Sequence, residues 1–261
     1  MSATAALRQP QWMDTRSAVL NLVLRPVAHS RAAVGCSGCF HRSVCLPSAV
    51  PEDELSGFDE LVSTRRKVAR DMTLYRAGDR FEALYAVGSG SFKTVARMLN
   101  GDEKITGFHL PGELVGLDAI DSAQHDYEAV ALEDSKVCVL PFARLEAAAQ
   151  KFPELRHQLF RLLSRDISRD QGLMLLLGVM SAEQRLATFL LNLSRRYQRL
   201  GFSAERFVLR MTREEIGSYL GLTLETVSRT LSRFQREGLL AVHQRDIELK
   251  NVGALREMAG C

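Results

Sequence analysis

Long apolar runs are missing from this chain of 261 residues. No stretch approaches the roughly 18 apolar residues that a membrane-crossing helix requires. The nearest, SAVLNLVL at 17–24, is short and closes on Arg25-Pro26. A cleaved leader is not expected either, because Asp14 interrupts the n-region and no small-residue cleavage pattern follows. The expectation is therefore a cytoplasmic protein with no membrane partner. Signatures of catalysis are also lacking. Gly88-Ser89-Gly90 has neither the third glycine nor the following helix pattern of a nucleotide loop and reads as a turn. No Ser-His-Asp arrangement or pair of catalytic carboxylates can be placed, so the reading is of a protein that is not an enzyme. Cysteine is scarce and odd in number, five in all. A chain of this size does not need disulfide staples, so in a reducing compartment clustered thiols read as metal or redox groups. Lysine almost disappears after residue 154: 16 of the 17 cations from there on are arginine, against 11 acids, a net of +6 that leaves −3 upstream. The planar arginine fork suits phosphate and guanine, which points to a nucleic-acid surface in that half; a solvated basic face is the alternative.

What is present is ordinary globular material, 46% hydrophobic and 25% charged, with room for two domains. Residues 1–35 show no sustained periodicity and read as a loose extension. Residues 36–152 combine a cysteine loop with short β-type runs, LYRAGD at 74–79, ALYAVGSGSFKTVARM at 83–98, NGDEKITGFHL at 100–110 and SKVCVLPF at 135–142. Asn100-Gly101-Asp102 is a tight hairpin signal, and turn signals about every ten residues predict an antiparallel roll or barrel. Residues 153–180 predict one long helix opened by Pro153. Its leucines at 155, 159, 162, 173 and 177, with Met180, form a seam suited to a partner helix. Asp166 and Asp170 fall on or beside that seam near Ile167, where each would face its own copy across a two-fold axis; the alternative puts both on a solvated flank.

Residues 181–255 hold the most specific pattern. Thr212 and Glu215 make a capping box, Gly221 ends the helix it starts, and Thr223 caps a second helix. In that helix Val227, Leu231 and Phe234 form the inward stripe, while Glu225, Ser228, Arg229 and Ser232 share the outward face. AVH at 241–243 and IELK at 247–250 predict a small hairpin wing. This is a winged helix-turn-helix, and its outward residues have the chemistry to read bases. Arg229 can donate two N–H groups to guanine, Glu225 can accept from the cytosine amine, and Ser228 can contact a base edge or a thymine methyl. A purely structural helical hairpin is the competing reading.

Three thiols stand in CSGCFHRSVC: Cys36, Cys39 and Cys45, spaced C-x2-C-x5-C on a loop with Gly38 and His41. Four thiolates hold either a [4Fe-4S] cluster or a closed zinc site. One CxxC rather than two paired knuckles favours iron-sulfur, and His41 reads as a loop residue that could replace a thiolate. The fourth ligand is Cys138, in a predicted strand, or Cys261, at the end of the chain.

The order of cysteine cluster, β-roll, long helix and winged helix-turn-helix, with KITGFHLPGELVGLDAI at 104–120, NLSRRYQRLGFS at 192–203 and LTLETVSRTLSRFQREGLL at 222–240, resembles the fumarate and nitrate reduction regulators of the wider cyclic AMP receptor protein group. The resemblance spans about residues 36–255. It implies an oxygen-responsive bacterial transcription regulator that assembles a [4Fe-4S] cluster without oxygen and dimerises. It also implies binding to palindromes with TTGAT-like half-sites, activating or repressing genes of anaerobic metabolism. Carried over residue by residue, it assigns Cys138 as the distal ligand beside Cys36, Cys39 and Cys45, and it favours iron-sulfur over zinc, the competing metal by ligand chemistry. Glu225, Ser228 and Arg229 fall on its E-x-x-S-R reading motif, and Ile167 and Asp170 on its dimerisation control. Gly101 and Asp102 fall on a loop that contacts RNA polymerase. Members that bind a cyclic nucleotide follow a Gly-Glu segment with an arginine; here GEL at 112–114 is followed by HDYEAVAL at 125–132, so no cyclic nucleotide is expected.

Overall fold

A computed structural model describes residues 35–52, 55–62, 64–98 and 100–260. The expected extension, apart from Gly35, and Cys261 lie outside the described residues. Eight strands build the roll: β1 (Thr64–Val68), β2 (Thr73–Tyr75), β3 (Ala83–Ser89), β4 (Phe92–Arg97), β5 (Glu103–His109), β6 (Leu114–Val115), β7 (Glu128–Ala131) and β8 (Ser135–Pro141). They form two antiparallel sheets, ordered β1-β8-β3-β6 and β2-β7-β4-β5. The predicted hairpin joins β4 to β5. The Gly101 N–H donates to the Met98 carbonyl, and Gly101 takes φ +86°, a conformation that glycine adopts without strain. The Asn100 amide also bonds Asp102. Strand β1 carries no apolar alternation because it is an edge whose Arg65, Arg66 and Lys67 reach solvent or the sheet rim; its TRRKV sequence gave no strand signal.

Before the roll, the chain from Cys36 to Ala49 runs through three single-turn 3₁₀ segments to a short helix, α1 (Leu55–Asp59). After it come α2 (Phe142–Lys151) and the expected long helix, α3 (Pro153–Val179). The leucine seam of α3 is where the structure departs from expectation. Leu155, Leu159 and Leu162 pack into the core beneath the cysteine loop, and Leu173, Leu177 and Met180 into the core shared with the C-terminal helices. The seam therefore closes onto its own chain. The face left open carries Phe160, Ile167 and Met174, 60%, 57% and 72% exposed, at seven-residue intervals. Asp166 also turns inward, to an ion pair with Arg169 of its own helix, whereas Asp170 stays on the exposed side next to Ile167.

Helix α4 (Ala182–Arg199) starts at a capping box made by Ser181 and Gln184 and buries Leu186, Leu190 and Leu193 completely. The helix-turn-helix follows as read. In α5 (Arg213–Leu220), the Thr212 hydroxyl accepts from the Glu215 N–H while the Thr212 N–H donates to the Glu215 carboxylate. Gly221 closes that helix in the left-handed region, and Thr223 caps α6 (Leu224–Arg236). Val227, Leu231 and Phe234 are buried, as the stripe predicted. The wing is β10 (Leu240–His243) and β11 (Asp246–Leu249), extended by β9 (Arg206–Val208) into a three-stranded sheet, and α7 (Val252–Ala259) follows it.

One core runs unbroken from the β4–β5 hairpin into this C-terminal region. Val95, Ile105, Phe108 and Leu110 of the roll pack with Leu186, Phe189, Ile216 and Leu220. Phe108, Phe189 and Tyr219 pack edge-to-face and tilted against one another with ring centroids 5.1–6.0 Å apart. Polar contacts cross the same boundary. Lys93 Nζ lies 2.7 Å from Glu215, and the Ile105 N–H donates to the Ser218 hydroxyl at 3.0 Å.

Candidate cofactor and DNA-reading sites

The cysteine loop lies over the outer face of the β1-β8-β3 sheet. Leu46 plugs into the core below it, and the Cys36 N–H donates to the Asp59 carboxylate at 2.5 Å, tying the loop to the end of α1. Cys138 stands in β8, paired in register with Ala86 of β3 and Arg65 of β1. Cys36, Cys39, Cys45 and Cys138 line one cavity of about 310 Å³. The sheet wall beside Cys138 is kept open at Gly88 of the neighbouring strand β3, where a Cβ would stand 3.9 Å from Cys138 Sγ and 3.3 Å from the Lys136 carbonyl oxygen. The glycine read from sequence only as part of a turn thus borders the fourth thiol. Phe40 and His41 also line the cavity, and the His41 Nδ1 is buried with no hydrogen-bond partner among the described residues.

Burial pushes the Cys36 thiol up, with the Asp59 carboxylate adding to the shift. Burial likewise pushes Cys45 up to about 12, and the neighbouring Cys138 and Cys39 sulfurs add to it. Three or four thiolates gathered in such surroundings repel one another, so the cavity suits a positively charged inorganic core. Soft thiolate donors and the room between them fit an iron-sulfur cluster. Among the described residues no three His, Cys, Asp or Glu side chains converge closely enough to share one metal ion.

A second constellation lies where the roll, α3 and α4 meet. The Glu113 carboxylate accepts from Arg196 Nε at 2.9 Å and Nη2 at 2.6 Å, and from the Leu110 N–H at 3.0 Å, with Arg169 Nη1 3.9 Å away. Burial alone would raise its pKa, yet the two guanidiniums outweigh that and hold it at about 2. Arg196 also donates to the Phe108 carbonyl. The cysteine loop touches this junction: a Cβ on Gly112 would meet Val44 Cγ2 at 2.5 Å, and Phe40 reaches Phe202, after α4, with centroids 6.1 Å apart. Sequence reading treated the GEL glutamate only as a remnant of a nucleotide segment. Neither Asp59 nor Arg196 carried a sequence signal, because their partners are 23 and 83 residues distant.

Helix α6 presents its outward face freely. Glu225 and Arg229 are exposed and Ser228 is half-buried between them, one turn from the helix start. Hydrogen bonds from the backbone and the Thr223 hydroxyl hold the Glu225 carboxyl below its ordinary value, so it stays ionised near neutral pH. Arg233, further along, is taken up by Glu183 and Glu237. The Gly101–Asp102 turn is exposed at the tip of the β4–β5 hairpin.

Residues 184–258 match the Crp-like helix-turn-helix domain, and residues 65–152 the cyclic nucleotide-binding domain. The chain is 45% identical to the fumarate and nitrate reduction regulatory protein of Escherichia coli K12 over 238 residues, 91% of this chain and 95% of that protein. It belongs to the FNR family. The chain is also 49% identical to the transcriptional regulatory protein btr of Bordetella pertussis, over 90% of this chain and 98% of that protein. Among solved structures, FixK2 from Bradyrhizobium japonicum superposes with a TM-score of 0.69 at 34% identity, covering 75% of this chain and 96% of that one. The chain is thus an FNR-like transcription regulator with a DNA-binding helix-turn-helix. As in the expectation, the family consists of regulators rather than enzymes, and the roll, long helix and winged helix-turn-helix are its architecture. No helix among the described residues is long and apolar enough to cross a membrane.

Proposed function

We propose that this FNR-family chain is an oxygen-responsive regulator in which Cys36, Cys39, Cys45 and Cys138 hold a [4Fe-4S] cluster. The observation that carries the reading is the single cavity lined by all four thiols, three from one loop and the fourth from a strand about ninety residues further along the chain. When bound, the cluster supplies a redox-sensitive centre that oxygen dismantles. A zinc ion is the lesser alternative. A closed zinc site more often draws on two paired CxxC knuckles, and this chain has a single CxxC, at Cys36 and Cys39.

The chain's own residues supply the rest of the switch. Asp59 anchors the loop at Cys36, and Val44 and Phe40 connect the loop to the Glu113 junction and to the segment after α4. The exposed Phe160, Ile167 and Met174 stripe of α3 is the face on which two copies pair, with Asp170 beside it. Two facing aspartates cost on the order of 1–4 kcal/mol, depending on effective dielectric. Packing that depends on an ordered cysteine loop offsets this repulsion; when the loop is released, repulsion wins and the dimer parts. In the dimer the two α6 helices read a palindrome with TTGAT-like half-sites through Glu225, Ser228 and Arg229. The Gly101–Asp102 hairpin faces RNA polymerase, and the work is done in the cytoplasm. No cyclic nucleotide is needed. In support, the Glu113 carboxylate is spent on Arg196, and Tyr75 and His125 stack at 3.6 Å within the roll.

The test is iron and sulfide content and the absorbance spectrum of protein purified without oxygen, before and after air, alongside binding to a TTGAT palindrome. Brown, air-labile protein with oxygen-sensitive binding is expected. Stoichiometric zinc with binding unchanged in air would refute the proposal.

A further inference from the structure

The cleft between α3 and α4 gathers more arginine than its acids neutralise. A cavity of about 400 Å³ there is lined by Arg165 and Arg169 from α3 and by Arg196 and Arg199 from α4. The residues are four apart on one helix and three apart on the other, so each pair shares a helical face. Only two carboxylates line the same cavity, Glu113 and Asp166, which leaves an excess of two positive charges. Those two acids do not disperse the cations; they fix them. Glu113 grips Arg196 through two bonds, and Asp166 pairs with Arg169. Arg165 and Arg199 have no ion-pair partner among the described residues. Ser168 and Asn192 add a hydroxyl and an amide to the walls.

We propose that this cleft binds a small free oxyanion of the phosphate or diphosphate class, bridging α3 to α4. Guanidinium forks match phosphate oxygens two at a time, and such charge-assisted bonds are among the strongest available to side chains. Because Arg169 and Arg196 are already held in place, little side-chain freedom is lost when they donate their remaining N–H groups. The uncompensated charge of two is what a dianion neutralises, and the volume accommodates a diphosphate group with a small substituent. Val44 of the cysteine loop forms part of the wall, and α3 joins α4 through only Met180 and Ser181. An occupant therefore stiffens the joint between the long helix and the DNA-reading region. None of the four thiols lines this cleft, so the inference stands apart from the cluster reading.

The experiment is calorimetric titration of full-length protein, purified without oxygen, with sodium pyrophosphate at constant ionic strength. One saturable site per chain is expected, weakened about tenfold or more in Arg165→Gln/Arg199→Gln. Each of these side chains is exposed; should the double variant fail to fold by circular dichroism, the single variants, each expected to weaken binding at least ~3-fold, carry the test. Arg229→Gln should bind pyrophosphate as the unaltered chain does, and a non-specific DNA duplex should not displace it. Absence of saturable binding, undiminished binding in the arginine variants, loss in Arg229→Gln or displacement by the duplex would each overturn the proposal. Iron content is read separately, so the cluster reading can fail while this one holds.

Discussion

Replacing Glu113 with Gln keeps the shape of the side chain and removes the charge on which Arg196 and Arg169 converge. The carboxyl is held at about 2, against 4.5 as its ordinary value. At about 1.4 kcal/mol per pKa unit this difference is worth roughly 3 kcal/mol. The side chain remains 29% exposed, and solvent screening reduces the figure to about 2 kcal/mol at neutral pH. Because the folded pKa is depressed, the contribution is complete above the unfolded value and fades as pH falls from about 4.5 towards 2. Urea unfolding at pH 7 should show Glu113→Gln less stable by about 2 kcal/mol. At pH 4 the gap should narrow by roughly 1 kcal/mol, since the unfolded wild type then takes up a proton that the folded form refuses. Equal midpoints at pH 7, or a gap that does not change between pH 7 and 4, would refute the electrostatic account of this junction.

Asp170→Ala should be dimeric in air by sedimentation velocity; a monomer would remove aspartate repulsion as the control. Cys138→Ala should lose most of its iron and sulfide when purified without oxygen, whereas Cys261→Ala should keep the full complement, and the reverse result would reassign the fourth ligand. Arg229→Gln should weaken binding to a TTGAT palindrome by about 1–3 kcal/mol and relax discrimination at a single base pair. A uniform loss across all sequences would make Arg229 a phosphate contact instead.

The sequence by itself determined the parts whose signals are local. Capping at Thr212 and Thr223, the left-handed stop at Gly221, the inward stripe of α6 and the Asn100-Gly101 turn each depend on residues within a few positions of one another, and all four stand in the structure as read. The cysteine spacing was equally legible and pointed to metal or redox chemistry. Strand β1 was not, because an edge strand with three charged residues has no alternation to read. Neither was the partner of the leucine seam on α3. Periodicity marks an apolar face but cannot say whether the same chain or a second copy covers it. Only the tertiary structure gave Leu155 and Leu173 to their own chain and left Phe160, Ile167 and Met174 open. It likewise brought Cys138 to the loop thiols across about a hundred residues, turned Asp166 inward and set Glu113 between Arg196 and Arg169. Those choices come from how the roll's sheets pack against the helices around them, and sequence distance carries no trace of it.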